Sequence, residues 1–282
     1  MLTIMAKTDT GLTGVPEAEH HESHSLYGEE IFSIGNFPVT NSVFTSWVSL
    51  FIILIISLVV RSKQKLVPRG IQNIFEIIIE QLLKLCDTVT RNRKTSLIAL
   101  PFVMAMVVFV LINNWIGILP GIGTIFVKTA DGHVSLFRGG TADINTTLAL
   151  SLVSVVFANI VGIFSVGVWN TFTKFIRVPA LLKLKNVFKD PVQLILVPIN
   201  ILVGFLELLG EVAKIASLSF RLFGNVFAGE VLIASMAAIS AYLIPMPFIF
   251  LEFFVGIIQA FIIGLLSVVY VTLAVQTHDD GH

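Results

Sequence analysis

Five ionisable side chains stand where an apolar run should exclude them. Between residues 192 and 242 the chain is almost continuously hydrophobic, yet it holds Glu207, Glu211, Lys214, Arg221 and Glu230. One charged side chain near the centre of a membrane helix costs about 2.5–3.5 kcal/mol on insertion scales. Such residues in lipid-length segments mark ion paths, buried pairs or both. At 100° per residue, Lys214 falls about 20° from Arg221, and Glu207 and Asn225 each about 40° from it. Glu230 falls about 180° away. In the next apolar run Glu252, Gln259 and Tyr270 lie within about 20° of one another, which makes a second polar stripe.

The acids differ in what they ask for. Glu211 has Lys214 three residues on, so local neutralisation explains it, and Glu207 can reach the same lysine at seven. Arg221 has no acid at three or four residues on either side. A guanidinium does not lose its proton in proteins, so its anion must come from elsewhere. Small residues flank it (Ala216, Ser217, Ser219, Gly224, Ala228, Gly229), and such residues let another helix approach closely. A fixed cation opposed to a titrating acid on a partner helix is the chemistry this pattern fits. Asn225, Gln259 and Tyr270 serve equally well as interhelical hydrogen-bonding glue. Asn113 and Asn114 read more simply as glue or interfacial residues.

The elements that must hold these groups are membrane helices. Of the 282 residues 55% are hydrophobic and 13% charged, and the mean hydropathy is +0.92. A soluble domain carries about 25% charge. Net charge is zero, so no global field attracts nucleic acid. The single cysteine, Cys86, excludes an internal disulfide framework. No nucleophile–base pair, phosphate loop or metal-ligand spacing appears, so no catalytic residue, metal site or cofactor is expected. The HHESH cluster at 20–24 sits in a polar tail and reads as solvated.

Segments of about 20 apolar residues suffice to cross a bilayer. Five are expected, at 41–60, 97–119, 147–169, 192–242 and 248–275. Together with the rest of 41–282 they form one all-α membrane domain, preceded by a polar tail over 1–40. The fourth is far too long for an upright crossing, so it is broken or strongly tilted. The prolines of IPMP (244–247) turn the chain into the fifth, making a long helical hairpin. Between the first two crossings the spacing of Ile71, Ile74, Phe75, Ile78, Leu82 and Leu85 predicts an amphipathic helix over 70–90, lying on the membrane surface. Residues 61–96 and 170–191 hold thirteen Lys and Arg, against three in 1–40 and 120–146. The positive-inside rule therefore places the N-terminus outside and the C-terminus in the cytoplasm. A secondary transporter with an intramembrane charged site is the alternative class. It would show two matching broken helices, and no second half repeats the charged run.

The block SLSFRLFGNVFAGE (217–230) closely resembles the signature of the subunit a family of F-type ATP synthases. GIIQAFIIGLLSVVYVTLA (256–274) is similar to that family's final helix. IGNFPVTNSVFTSW (34–47) and NNWIGILPG (113–121) are similar more weakly. The resemblance implies a membrane subunit without catalysis of its own, in a bacterial plasma membrane. It would carry ions, most simply protons, beside a ring of c subunits, with peripheral-stalk b subunits and, indirectly, the catalytic head as further partners. Arg221 would face the ring carboxylate and separate two offset half-channels. Glu230, Glu252, Asn225 and Gln259 would match the outer path, and Glu207 the cytoplasmic one with Tyr270 and Lys214 beside it. Two departures stand out. Glu252 replaces a histidine common in relatives, so no histidine-type pH response near 6.5 is expected of the outer path. Gly117 replaces an acid that some relatives carry.

Overall fold

The computed structural model describes residues 27–35, 37–62, 70–119, 125–129, 132–168, 191–240 and 243–276. The HHESH cluster, most of the basic 170–191 loop and the C-terminal THDDGH lie outside the described residues.

Strands β1 (Glu30–Ile34) and β2 (Phe37–Thr40) pair antiparallel, Glu30 opposite Thr40 and Phe32 opposite Val39. Gly35 turns the hairpin at φ 64°, where a side chain would be strained. The polar tail read as running to residue 40 therefore acquires structure at Glu30, and Val39 is fully buried. Helix α1 (Asn41–Ser62) follows without a break. The Asn41 side chain accepts from the amides of Ser42 at 2.9 Å and Glu29 at 3.2 Å, so one residue closes the hairpin and opens the helix.

Helix α2 (Ile71–Thr90) is the amphipathic segment. Leu82, Cys86 and Thr90 are buried, while Ile74, Ile77, Ile78 and Ile79 are exposed. Arg91, left-handed at φ 53°, ends it, and Asn92 caps α3 (Arg93–Ile118) by accepting from the Lys94 amide at 3.0 Å. This corner carries Asp87, paired with Arg93. The Ser96 hydroxyl, and then Arg93, hold the Asp87 carboxyl below its usual range.

A second hairpin, β3 (Phe126–Thr129) with β4 (Gly132–Ser135), leads to a 3-10 turn at Gly140–Ala142. Asp143 caps α4 (Ile144–Val166), accepting from the Asn145 amide at 3.0 Å. Helix α5 runs unbroken over Pro191–Ile239, 49 residues. Pro191 stands at its first position, where the missing N–H has no intrahelical partner to lose. Of the two expectations for this stretch, a break is ruled out. Its apolar part, Leu202–Ile239, has 38 residues, about 57 Å at 1.5 Å per residue. The hydrocarbon layer is about 30 Å thick, so a helix kept within it must run obliquely. A turn at Leu243 and Ile244 leads into α6 (Pro245–Gln276).

Five of the six described helices, all except α2, are long and apolar enough to cross a membrane, as the sequence predicts. Packing centres on α3 against α6, with α4 set against both α5 and α6. Val103, Val110, Leu218, Leu222, Ile263, Val268 and Val271 fill the interior. Small hydroxyl side chains among them bond across helices. Ser154 meets Ser267 across α4 and α6 at 2.8 Å, and Thr147 meets Ser219 across α4 and α5 at 3.2 Å. Large apolar side chains such as Leu54, Phe164, Phe205, Phe220 and Phe250 face outward. That distribution is inverted relative to a water-soluble protein and suits lipid. The chain is an integral membrane protein.

Candidate functional site

Helices α5 and α6 run antiparallel, and the polar stripe of α6 faces α5 along its whole length. Gln259, 1% exposed, accepts through Oε1 from the Asn225 side-chain amide at 2.8 Å. Its own amide nitrogen is buried without a hydrogen-bond partner among the described residues. Toward one end of the pair, Tyr270 is buried and lies 5.8 Å from the Lys214 ammonium, ring centre to nitrogen. Toward the other, Glu252 is buried with its carboxyl packed on Gly229, so closely that any Cβ there would collide with it. Here glycine is needed for room and not for its backbone freedom.

Lys214 donates to Glu211 at 2.7 Å, and Asn159 of α4 donates to the same carboxylate at 3.3 Å. The local pairing expected for Glu211 is therefore present. Lys214 shares a stripe with Arg221 but is itself neutralised by a neighbour. Glu207 is half-buried on the same helix.

Glu230 has a partner that the sequence did not disclose. Arg138, on the strand of chain between β4 and the 3-10 turn, donates from Nε to Glu230 Oε2 at 3.2 Å. Both side chains are largely enclosed, 11% and 21% exposed. In the sequence Arg138 is only one of the three Lys and Arg residues of 1–40 and 120–146. Its position in FRGGTAD, beside a glycine pair, is the one signal that could have marked it. The glycines explain how it arrives. A Cβ on Gly117 would sit 2.8 Å from the Gly139 Cα, and a Cβ on Gly139 would sit 3.1 Å from Glu230 Oε1. Gly140 lies against Asn113 and Ser46 in the same way. The segment is thus wedged between α1, α3 and α5, and an acid at 117 would not fit. The Asn pair of α3 serves this wedge. Asn114 Oδ1 accepts from the Thr141 hydroxyl at 2.5 Å, and Ser46 lies 3.5 Å from Asn113 Oδ1.

Arg221 stands apart. It is exposed on α5, and no described residue offers it an ion pair or a hydrogen bond. The Tyr270 phenol, a neutral group, lies across the helix pair within electrostatic reach of it. The helical count that put Glu230 opposite Arg221 agrees with what each meets, a folded loop for one and open surface for the other.

Charged and amide side chains arranged along an antiparallel helix pair, inside a bundle built for lipid, define a membrane protein that holds polar groups between its helices. The family model described as "ATP synthase A chain" matches residues 43–272. The chain belongs to this family, whose members are non-catalytic membrane subunits of the ATP synthase. It is 32% identical over 254 residues to ATP synthase subunit a of Syntrophobacter fumaroxidans, covering 90% of this chain and 92% of that one. To the subunit a of Mycobacterium ulcerans it is 34% identical over 251 residues, 86% and 90% covered. To that of Mycobacterium tuberculosis it is 32% identical over 283 residues, 98% and 100% covered.

Proposed function

We propose that this chain conducts ions, most simply protons, to and from a rotating ring of c subunits as the fixed subunit of a rotary ATP synthase. The observation that carries this reading is Arg221: a permanent cation, exposed on an apolar helix, with no anion in the described chain. A carboxylate on a partner helix answers that demand, and the small residues on either side let the helix come close. Glu230, Glu252, Asn225 and Gln259 form the outer half of the path. Glu207, with Tyr270 and Lys214 near it, forms the cytoplasmic half. Arg221 separates the two.

The physical logic is one of leak prevention. A potential of 100 mV does about 2.3 kcal/mol of work on each elementary charge. A continuous water path would dissipate it. Offset half-paths force each ion onto a ring carboxyl, and the Arg221 charge repels any cation crossing directly. The guanidinium also favours the ionised ring carboxylate as it passes from one half-path to the other. In this reading the N-terminus lies outside a bacterial plasma membrane and the C-terminus in the cytoplasm. The b subunits of the peripheral stalk hold the chain still against the ring, and the catalytic head is reached only through the rest of the complex.

Arg221→Ala tests the assignment in the assembled complex reconstituted into vesicles. Assembly is expected to persist while ATP-driven pumping and gradient-driven synthesis both fall to background. Normal pumping by assembled Arg221→Ala vesicles would sink it.

A further inference from the structure

Arg138 is attached to more than one element. Its backbone amide donates to Thr45 Oγ1 of α1 at 3.3 Å, its Nη1 to the Tyr27 carbonyl at 3.0 Å, and its Nε to Glu230 of α5 at 3.2 Å. The first two hold the loop in place, and the third reaches a carboxylate of the ion path. The charged groups on the elements packed there are few among the described residues. Asp143 is turned to its own helix as a cap, through the Asn145 amide. Glu252 on α6 is within electrostatic reach of Glu230. Glu230 therefore stands between a cation from the loop and a second acid from the neighbouring helix. The glycine contacts at 117, 139 and 140 make this approach possible.

We propose that Arg138 is a positioning residue of the outer half-path, whose guanidinium orients the Glu230 carboxylate and sets how readily it exchanges protons with the outside. The proposal rests on the outer-path role given to Glu230 above. A cation in contact with a carboxylate alters its proton affinity by about 1–3 pH units, so the loop tunes the path without lying along it. Lysine would keep the charge but lose the fixed planar geometry of the guanidinium.

The test uses the whole complex in vesicles, with ATP synthesis measured against outer pH at fixed inner pH, and then the reverse. R138Q is expected to displace the outer-pH profile upward by about 1–3 units, R138K by less, and neither to move the inner-pH profile. In an E230Q background R138Q is expected to add no displacement. If R138Q complexes fail to assemble, E230Q should restore them, since the uncompensated buried carboxylate is then gone. A parental outer-pH profile for R138Q, an equal displacement with and without Glu230, or an assembly failure that E230Q does not relieve would each overturn the proposal. Arg221→Ala separates the two levels. If it uncouples while R138Q shifts nothing, only the role of Arg138 falls; if Arg221→Ala pumps normally, the reading beneath it falls too.

Discussion

Glu230 lies nine positions after Arg221 on one helix, and their surroundings are opposites. At the hairpin end of the molecule Glu230 meets Arg138 at 3.2 Å, Glu252 is packed onto Gly229, and Asn114 closes on Thr141 at 2.5 Å. Five pieces of chain converge there, and each ionisable group has the fold around it. At Arg221 the same helix presents a permanent charge to open surface. Charge in an apolar setting is stabilised by a partner or by water. Glu230 thus finds its cation within the described chain, whereas in the reading proposed above Arg221 finds its anion on another one. Damage at the first should appear as misplacement or instability, and damage at the second as lost function in a sound protein.

The sharpest break of this contrast would come from Arg221. Its replacement by lysine is expected to keep the chain as stable as the parent while reducing coupled flux severely, because a point charge cannot present the guanidinium fork. A loss of thermal stability in the isolated subunit would show that Arg221 has an internal partner after all. Next in size, Gly229→Ala should push Glu252 from its seat. Overpacking of this kind costs about 1–3 kcal/mol, readable as a lowered unfolding temperature together with slowed outer uptake. Unchanged stability would mean that the carboxyl moves aside freely.

Asn225→Ala should be milder. Interhelical hydrogen bonds in membranes average about 0.6 kcal/mol, so a modest stability loss is expected. A rate loss far beyond it would place Asn225 on the path itself. The smallest effect is expected outside the membrane segments, at Asp87. Its carboxyl is held below the usual range in the folded chain, so its contribution is full above the unfolded value of about 3.9 and fades as pH falls through the lowered one. Hydrogen-exchange protection at the α2–α3 corner, taken relative to the intrinsic rate at each pH, should therefore fall on acidification in the parent, and less so in Asp87→Asn.

Much of the helical frame is legible in residue types alone. Lipid demands long apolar helices, and their length follows from the thickness to be crossed. The amphipathic spacing of 70–90 and the turn forced by IPMP come from local rules as well. The two hairpins escape that reading, since strands of four or five residues leave too short a pattern beside the helices. Within the site, periodicity places Glu252, Gln259 and Tyr270 on one face of α6, and only packing shows that α5 lies opposite. Glu211 and Lys214 could be paired from a spacing of three. Arg138 and Glu230, 92 residues apart, could not.

By itself, then, the sequence determined that an arginine with no local acid sits in a membrane helix, because helical geometry limits which side chains on one segment can meet. The tertiary structure decided which other charges are answered from within. Glycines at 117, 139 and 140 let a loop wedge in beside α5 and bring Arg138 to Glu230, a close approach of backbones that no periodicity encodes.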